Sequence, residues 1–316
     1  MLEVFFKVIT IFCMVAIGFA ANKKNVLPME ANSYLVNLLL VITSPCMIIG
    51  SMASETLTQS TFRLLLEILI GSAVFFCLAA LVAFVLVKCL RCKDKEDEGV
   101  MMVIITSVNS GFMGFPVTKA IFGSTSFFLM VIENIVLNIY LYSLAVLQMN
   151  YGHEKKGNIK EVLKPLCNMC TLSLLFGLII LFAGIRLPEP VLNFFNTVGD
   201  ATIPVSMIVV GLQLAENDLG RMVKNVRLII ASLANVLLMP ALTFLLVNWL
   251  PLAAESKLVL VFAAAFPCAV VSVAVASKEG RNAGLMAEGV AMTTLFSMVT
   301  LPFIAVFLMT QYCCPS

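Results

Sequence analysis

The chain has 316 residues, 61% of them hydrophobic and 12% charged, and a formal net charge of +2. A soluble globule carries about 25% charged and 45–50% apolar residues, so this composition excludes a water-soluble fold and leaves the apolar surplus to face lipid. The near-neutral charge gives no basic face for nucleic acid, and a single histidine, His153, removes most histidine-based catalysis and metal binding.

A membrane-crossing helix needs about 20 mostly apolar residues. Ten runs qualify, here called spans 1 to 10: 4–21, 34–53, 64–88, 100–121, 126–149, 165–184, 191–214, 227–250, 258–278 and 284–310. Backbone groups in lipid must be satisfied within the segment, which makes these runs helices. Barrel strands are excluded because the runs are continuous, not alternating. Span 1 has the length of a signal peptide, but Lys23 and Lys24 follow its apolar run instead of preceding it. It is therefore read as a retained span with its N-terminus outside. With ten spans, the connections 1–2, 3–4, 5–6, 7–8 and 9–10 carry fifteen Lys and Arg and the opposite side carries five. By the positive-inside rule the first side is cytoplasmic and both termini are extracytoplasmic, in a plasma-membrane protein.

The polar connector 150–164 divides the chain into a first half, 1–149, and a second half, 165–316, of five spans each. An odd number of spans per half makes the halves enter the membrane from opposite sides, as in inverted-repeat transporters. Matching features recur at corresponding places. Asn37 precedes Pro45 by eight residues in span 2, as Asn196 precedes Pro204 in span 7. Spans 4 and 9 carry Pro116 and Pro267, and spans 5 and 10 carry Glu133 and Glu288.

Span 4 contains Asn109-Ser110-Gly111-Phe112-Met113-Gly114-Phe115-Pro116, which should not sustain a helix. Span 9 contains a milder break, Phe266-Pro267-Cys268 through Ser272. Proline suits a first helical turn, so Pro116 and Pro267 are expected to start second half-helices. Their N-termini, meeting at mid-bilayer, would form an anion site without a buried cation. The competing reading is a packing kink. Intramembrane carboxylates are costly, which singles out Glu133, Asp200 and Glu288 as coupling-ion candidates. The alternative for each is a neutral acid bonded to a neighbour. Asn134, Asn138 and Tyr142 share one helical face that could line a cavity, and Thr293, Thr294 and Ser297 either do the same or bond back to their own helix. The pairs Cys89/Cys92 and Cys167/Cys170 would suit a thiolate metal site, but two whole spans separate them. Packing is the preferred reading, with no metal and no cofactor beyond a coupling Na⁺ or H⁺.

The run Asn109 to Pro116, followed by Lys119-Ala120-Ile121-Phe122-Gly123, together with Ser277-Lys278-Glu279-Gly280 after Pro267, resembles the auxin efflux carrier family of membrane transport proteins. Bacterial malate and malonate permeases belong to that family. The resemblance extends over essentially the whole chain. It implies an all-α membrane fold of ten helices in two inverted five-helix repeats, with helices 4 and 9 broken and crossed. It also implies transport of a small organic anion. On that pattern Asn109 contacts the substrate carboxylate, with Glu133 and Asn134 of span 5 and Ser44 beside Pro45 lining the site. An acid at 133 departs from the amide of the plant auxin carriers, which points away from auxin and toward coupling to H⁺ or Na⁺. The short 150–164 linker points to a bacterial permease. The expected partners are the anion and the lipid bilayer, with a homodimer left open. The alternatives to a coupled carrier are an electrogenic uniporter and a channel for organic anions such as auxin-like aromatic acids; an intramembrane hydrolase lacks a base for Ser110.

Overall fold

The computed structural model describes residues 2–90, 95–152, 168–217 and 219–313, and within these every regular element is a helix. The helices are α1 (Leu2–Lys23), α2 (Glu30–Leu38), α3 (Ser44–Ser54), α4 (Gln59–Leu90), α5 (Lys95–Thr106), α6 (Phe115–Tyr142), α7 (Leu144–Met149) and α8 (Met169–Ala183), then α9 (Glu189–Asp200), α10 (Thr202–Glu216), α11 (Leu219–Met222), α12 (Val226–Leu233), α13 (Met239–Trp249), α14 (Ala254–Ala264), α15 (Val271–Lys278) and α16 (Ala283–Leu308). Wide π-helical turns join α2 to α3 (Leu39–Thr43) and α12 to α13 (Ala234–Leu238), each just before a proline in the next helix's first turn. A proline has no N–H to give and crowds the preceding turn, and a wider turn relieves both problems.

Seven helical stretches among the described residues are long and apolar enough to cross a membrane. Among these residues the ten runs predicted as spans do not appear as ten separate long helices. Spans 4 and 5 fall within one 53-residue stretch, Asp97–Met149. Gly123 interrupts α6 in that stretch with φ 83°, a left-handed conformation that glycine adopts without strain. Span 6 is α8, of 15 residues. Span 9 is divided between α14 and α15. Large apolar side chains such as Leu81, Ile179, Val299 and Phe303 are exposed on the perimeter, as lipid contact requires. Most of the 150–164 connector, with His153, lies outside the described residues, as do Cys92 and Cys167, one member of each cysteine pair.

The helices pack as two groups. In the first, α1 runs along α10, while α8 and α9 pack on α3. Glycines set these distances. A β-carbon at Gly211 would lie 2.1 Å from the Val15 carbonyl oxygen, and one at Gly18 would lie 2.3 Å from that of Ile208. At Gly177 it would meet Met52 at 2.7 Å, and at Gly199 the backbone of Met47 at 2.7 Å. Small residues let helix backbones approach in lipid, where dispersion replaces hydrophobic attraction. The second group comprises α4 to α7 and α12 to α16 around a core containing Phe127, Phe128, Phe262 and Phe266, all fully buried. Gly211→Val should wedge α1 from α10 and cost about 1–3 kcal/mol. Thermal unfolding in detergent should show a lowered midpoint, and an unchanged one would contradict the packing.

Candidate functional site at two interrupted helices

Helix α5 ends at Thr106, Ser107 to Asn109 leave the helical path, and a π-helical turn (Ser110–Gly114) leads into α6 with Pro116 in its first turn. Asn109 sits at φ −96°, ψ 58°, and caps the new turn with its own side chain, whose Oδ1 accepts from the Phe112 amide at 3.3 Å. Its carbonyl accepts from Met113 at 3.3 Å and Gly114 at 2.9 Å. The second interruption runs from Ala265 to Val270. The sequence placed Pro267 at a helix start, but α15 begins four residues later at Val271, and Pro267 lies in the irregular stretch. Pro267, Cys268 and Ala269 are held there by bonds to the other interruption.

The two interruptions touch. The Asn109 amide donates to the Pro267 carbonyl at 2.7 Å. The Ser107 hydroxyl lies 3.0 Å from Cys268 Sγ, and accepts from the Ala269 amide at 3.4 Å and the Ser272 hydroxyl at 3.3 Å. Thr293 Oγ1 accepts the Cys268 amide at 3.1 Å. Asn235, fully buried in the π-helical turn before α13, donates to the carbonyls of Ile105 at 3.1 Å and Ser107 at 3.0 Å. These bonds satisfy the carbonyls and amides that the breaks strip from their helices. Side chains accept from the Cys268 and Ala269 amides at the second break and from the Phe112 amide at the first, where Gly111 lines open space.

That space is a cavity of about 670 Å³ between the two helix groups, within the range of small-molecule sites. Its polar lining comes from Asn37, Ser44, Asn109, Asn134, Asn138, Tyr142, Asn168 and Thr171, and its apolar lining includes Phe112, Phe115, Ala269 and Val271. No charged residue is among the described residues that line it. Of the candidates named from sequence, Ser44, Asn109, Gly111, Asn134 and Asn138 line the cavity. Ser110 lies behind the wall, where its hydroxyl accepts from Asn134 Nδ2 at 3.0 Å. Asn138 Nδ2 in turn donates to the Asn134 carbonyl at 2.7 Å and to Oδ1 at 2.9 Å. Gly114 gives room to Phe266, Pro45, Pro116 and Pro267 lie outside the lining, and so does Ser272, whose hydroxyl donates to Ser107.

The acids are placed apart. Glu133 is fully buried beside Ser110, away from the cavity lining. Asp200 is exposed and bonds Lys119 at 2.7 Å. Glu288 is half-buried near the start of α16 and lines no part of the cavity. Thr293, Thr294 and Ser297 all bond back to their own helix, and Thr293 also takes the Cys268 amide. The sequence reading passed over Ser107 and Asn235. Asn235 could have been found as an amide inside an apolar run, five residues before Pro240.

The sequence family described as membrane transport protein matches residues 3–305. The chain belongs to this family, that of the auxin efflux carriers. A protein of Methanocaldococcus jannaschii named as an uncharacterized transporter is 24% identical over 307 residues, covering 93% of this chain and 95% of its own. Another so named, from Methanothermobacter thermautotrophicus, is 24% identical over 312 residues, covering 95% and 97%. This multi-pass membrane protein is therefore a transport protein and not an enzyme.

Two substitutions separate structure from binding. Asn235→Leu strands two buried carbonyls and should cost about 1–3 kcal/mol for each. Asn109→Ala removes one cap bond and should cost only about 1 kcal/mol. Thermal unfolding of the purified variants checks the order, and equal losses would contradict it.

Proposed function

We propose that the protein is a secondary transporter that carries a small organic anion, a mono- or dicarboxylate such as malate, through the uncharged cavity by alternating access. The contact between the interruptions at Asn109 and Pro267, with the asparagine-lined cavity beside it, carries this reading. Amide groups and the N-terminal turn of a half-helix can hold a carboxylate without a cation. Side-chain amides donate or accept as the guest requires. Because Glu133 lies outside the lining, it does not directly oppose an anion there.

On this reading the chain crosses the cytoplasmic membrane ten times, in two inverted five-helix repeats (1–149 and 165–316) joined by 150–164, with both termini outside. The packing supports it, since α1 lies on α10 of the second half and α8 of the second half lies on α3 of the first. The cavity then lies toward the basic, cytoplasmic side, because Asn168 to Thr171 at the start of α8 line part of it. Coupling to H⁺ or Na⁺ is assigned to Glu133, the buried acid nearest the site. A second reading, an electrogenic uniporter for aromatic acids, is favoured by Phe112 and Phe115 in the cavity wall.

Purified protein in proteoliposomes should exchange labelled dicarboxylates across the membrane. Asn109→Ala and Asn134→Asp should lose at least tenfold in uptake while remaining folded, the latter because it places a carboxylate against the anion. A carboxylate panel without exchange by folded protein would refute the function. Uptake driven by separately imposed pH and Na⁺ gradients identifies the coupling, and indifference to both would favour the uniporter.

A further inference from the structure

We infer that Lys119 and Asp200, with Thr125 and Glu55, form the gate that closes the molecule on the face opposite the cavity. Lys119 Nζ lies 2.7 Å from Asp200 Oδ1, and the Thr125 hydroxyl donates to Glu55 Oε1 at 3.1 Å. Both contacts join the two helix groups. Lys119 and Thr125 lie on α6, Asp200 ends α9, and Glu55 directly follows α3. Both also lie beyond the interruptions as seen from the cavity. Along α6, Lys119 and Thr125 stand on either side of Gly123, whereas the cavity takes Phe115 at the start of the helix and residues from Val131 to Tyr142 toward its end. Along α2 and α3 the cavity takes Asn37 to Ile48, and Glu55 comes after the helix has ended.

A guest at Asn109 can leave by the opposite face only if the helix groups part there, and these contacts must then break. Their chemistry suits that task. The Asp200 side chain is 59% exposed and that of Lys119 20%, so the pair is screened and easily reversed. An ion pair of this kind biases an equilibrium by roughly two- to fivefold. That is enough to favour the closed form and little enough to yield in every cycle. Asp200, named from sequence as a coupling-ion candidate, has its carboxylate committed to a lysine instead. Lys119 reaches across to the other helix group.

The inference rests on the alternating-access reading for its purpose, but its test needs no substrate. Amide hydrogen exchange of the full chain in detergent follows peptides covering 116–127 and 196–206, with 131–142 as the internal control. Asp200→Asn and Lys119→Met should each speed exchange in the first two by roughly two- to fivefold and leave the control unchanged. The charge-exchanged K119D/D200K protein should return toward the original rates, and Glu55→Gln should give a smaller acceleration. The gate is overturned if the single variants leave the rates unchanged, or if the exchanged protein is as fast as they are. Uniform acceleration over the chain also overturns it, since the pair would then stabilise the whole fold. Failure of the carboxylate panel leaves this experiment intact, so the two readings fail separately.

Discussion

A backbone that leaves its helix inside a bilayer has no water to bond, and every carbonyl and amide it releases must find a partner in the protein. The bond from the Asn109 amide to the Pro267 carbonyl answers that demand for two helices at once. Each interruption supplies what the other lacks, so neither persists alone. Ser107, Asn235 and Thr293 complete the arrangement, each directing a short side chain at a main-chain group. Their cooperation leaves a rigid irregular centre where an unsupported chain would re-form its helix, and a cavity can form beside it.

That centre also explains the use of uncharged polar residues. A lysine or arginine at this depth would require its own counter-charge, which would then compete with an anionic guest. Asparagine carries both a donor and an acceptor and avoids that cost. Asn134 shows the economy of the choice: it fixes Ser110, accepts from Asn138, and faces the cavity with the remainder of its amide. The buried acid Glu133 is held behind this wall.

Much of the helical frame was legible in the sequence, because continuous apolar runs need no tertiary information. The break at Asn109 to Gly114 was legible for the same reason, since glycine, asparagine and proline together weaken any local helix. Pro267 misled because its position is fixed by contact and not by propensity. Its carbonyl is held by Asn109 and the following residues by Ser107 and Thr293, which delays the next helix to Val271. Asn235 was overlooked because its role depends on a partner some 130 residues away. Asp200 read as a buried acid because its run is apolar, yet its side chain turns outward to a lysine on another helix. Spacing along one helix cannot disclose which neighbour a side chain will meet.

The absence of charge from the described lining has an electrical consequence. A guest held by amides alone keeps its charge during passage, because no lysine neutralises it and no fixed cation travels with it. Each such charge moved across the membrane couples to the transmembrane voltage by about 2.3 kcal/mol per 100 mV. A cell interior that is negative would therefore drive an unaccompanied anion outward. On the proposed function, inward movement would need enough positive ions bound in the same cycle to offset it, and the number of accompanying cations would set the direction of net work.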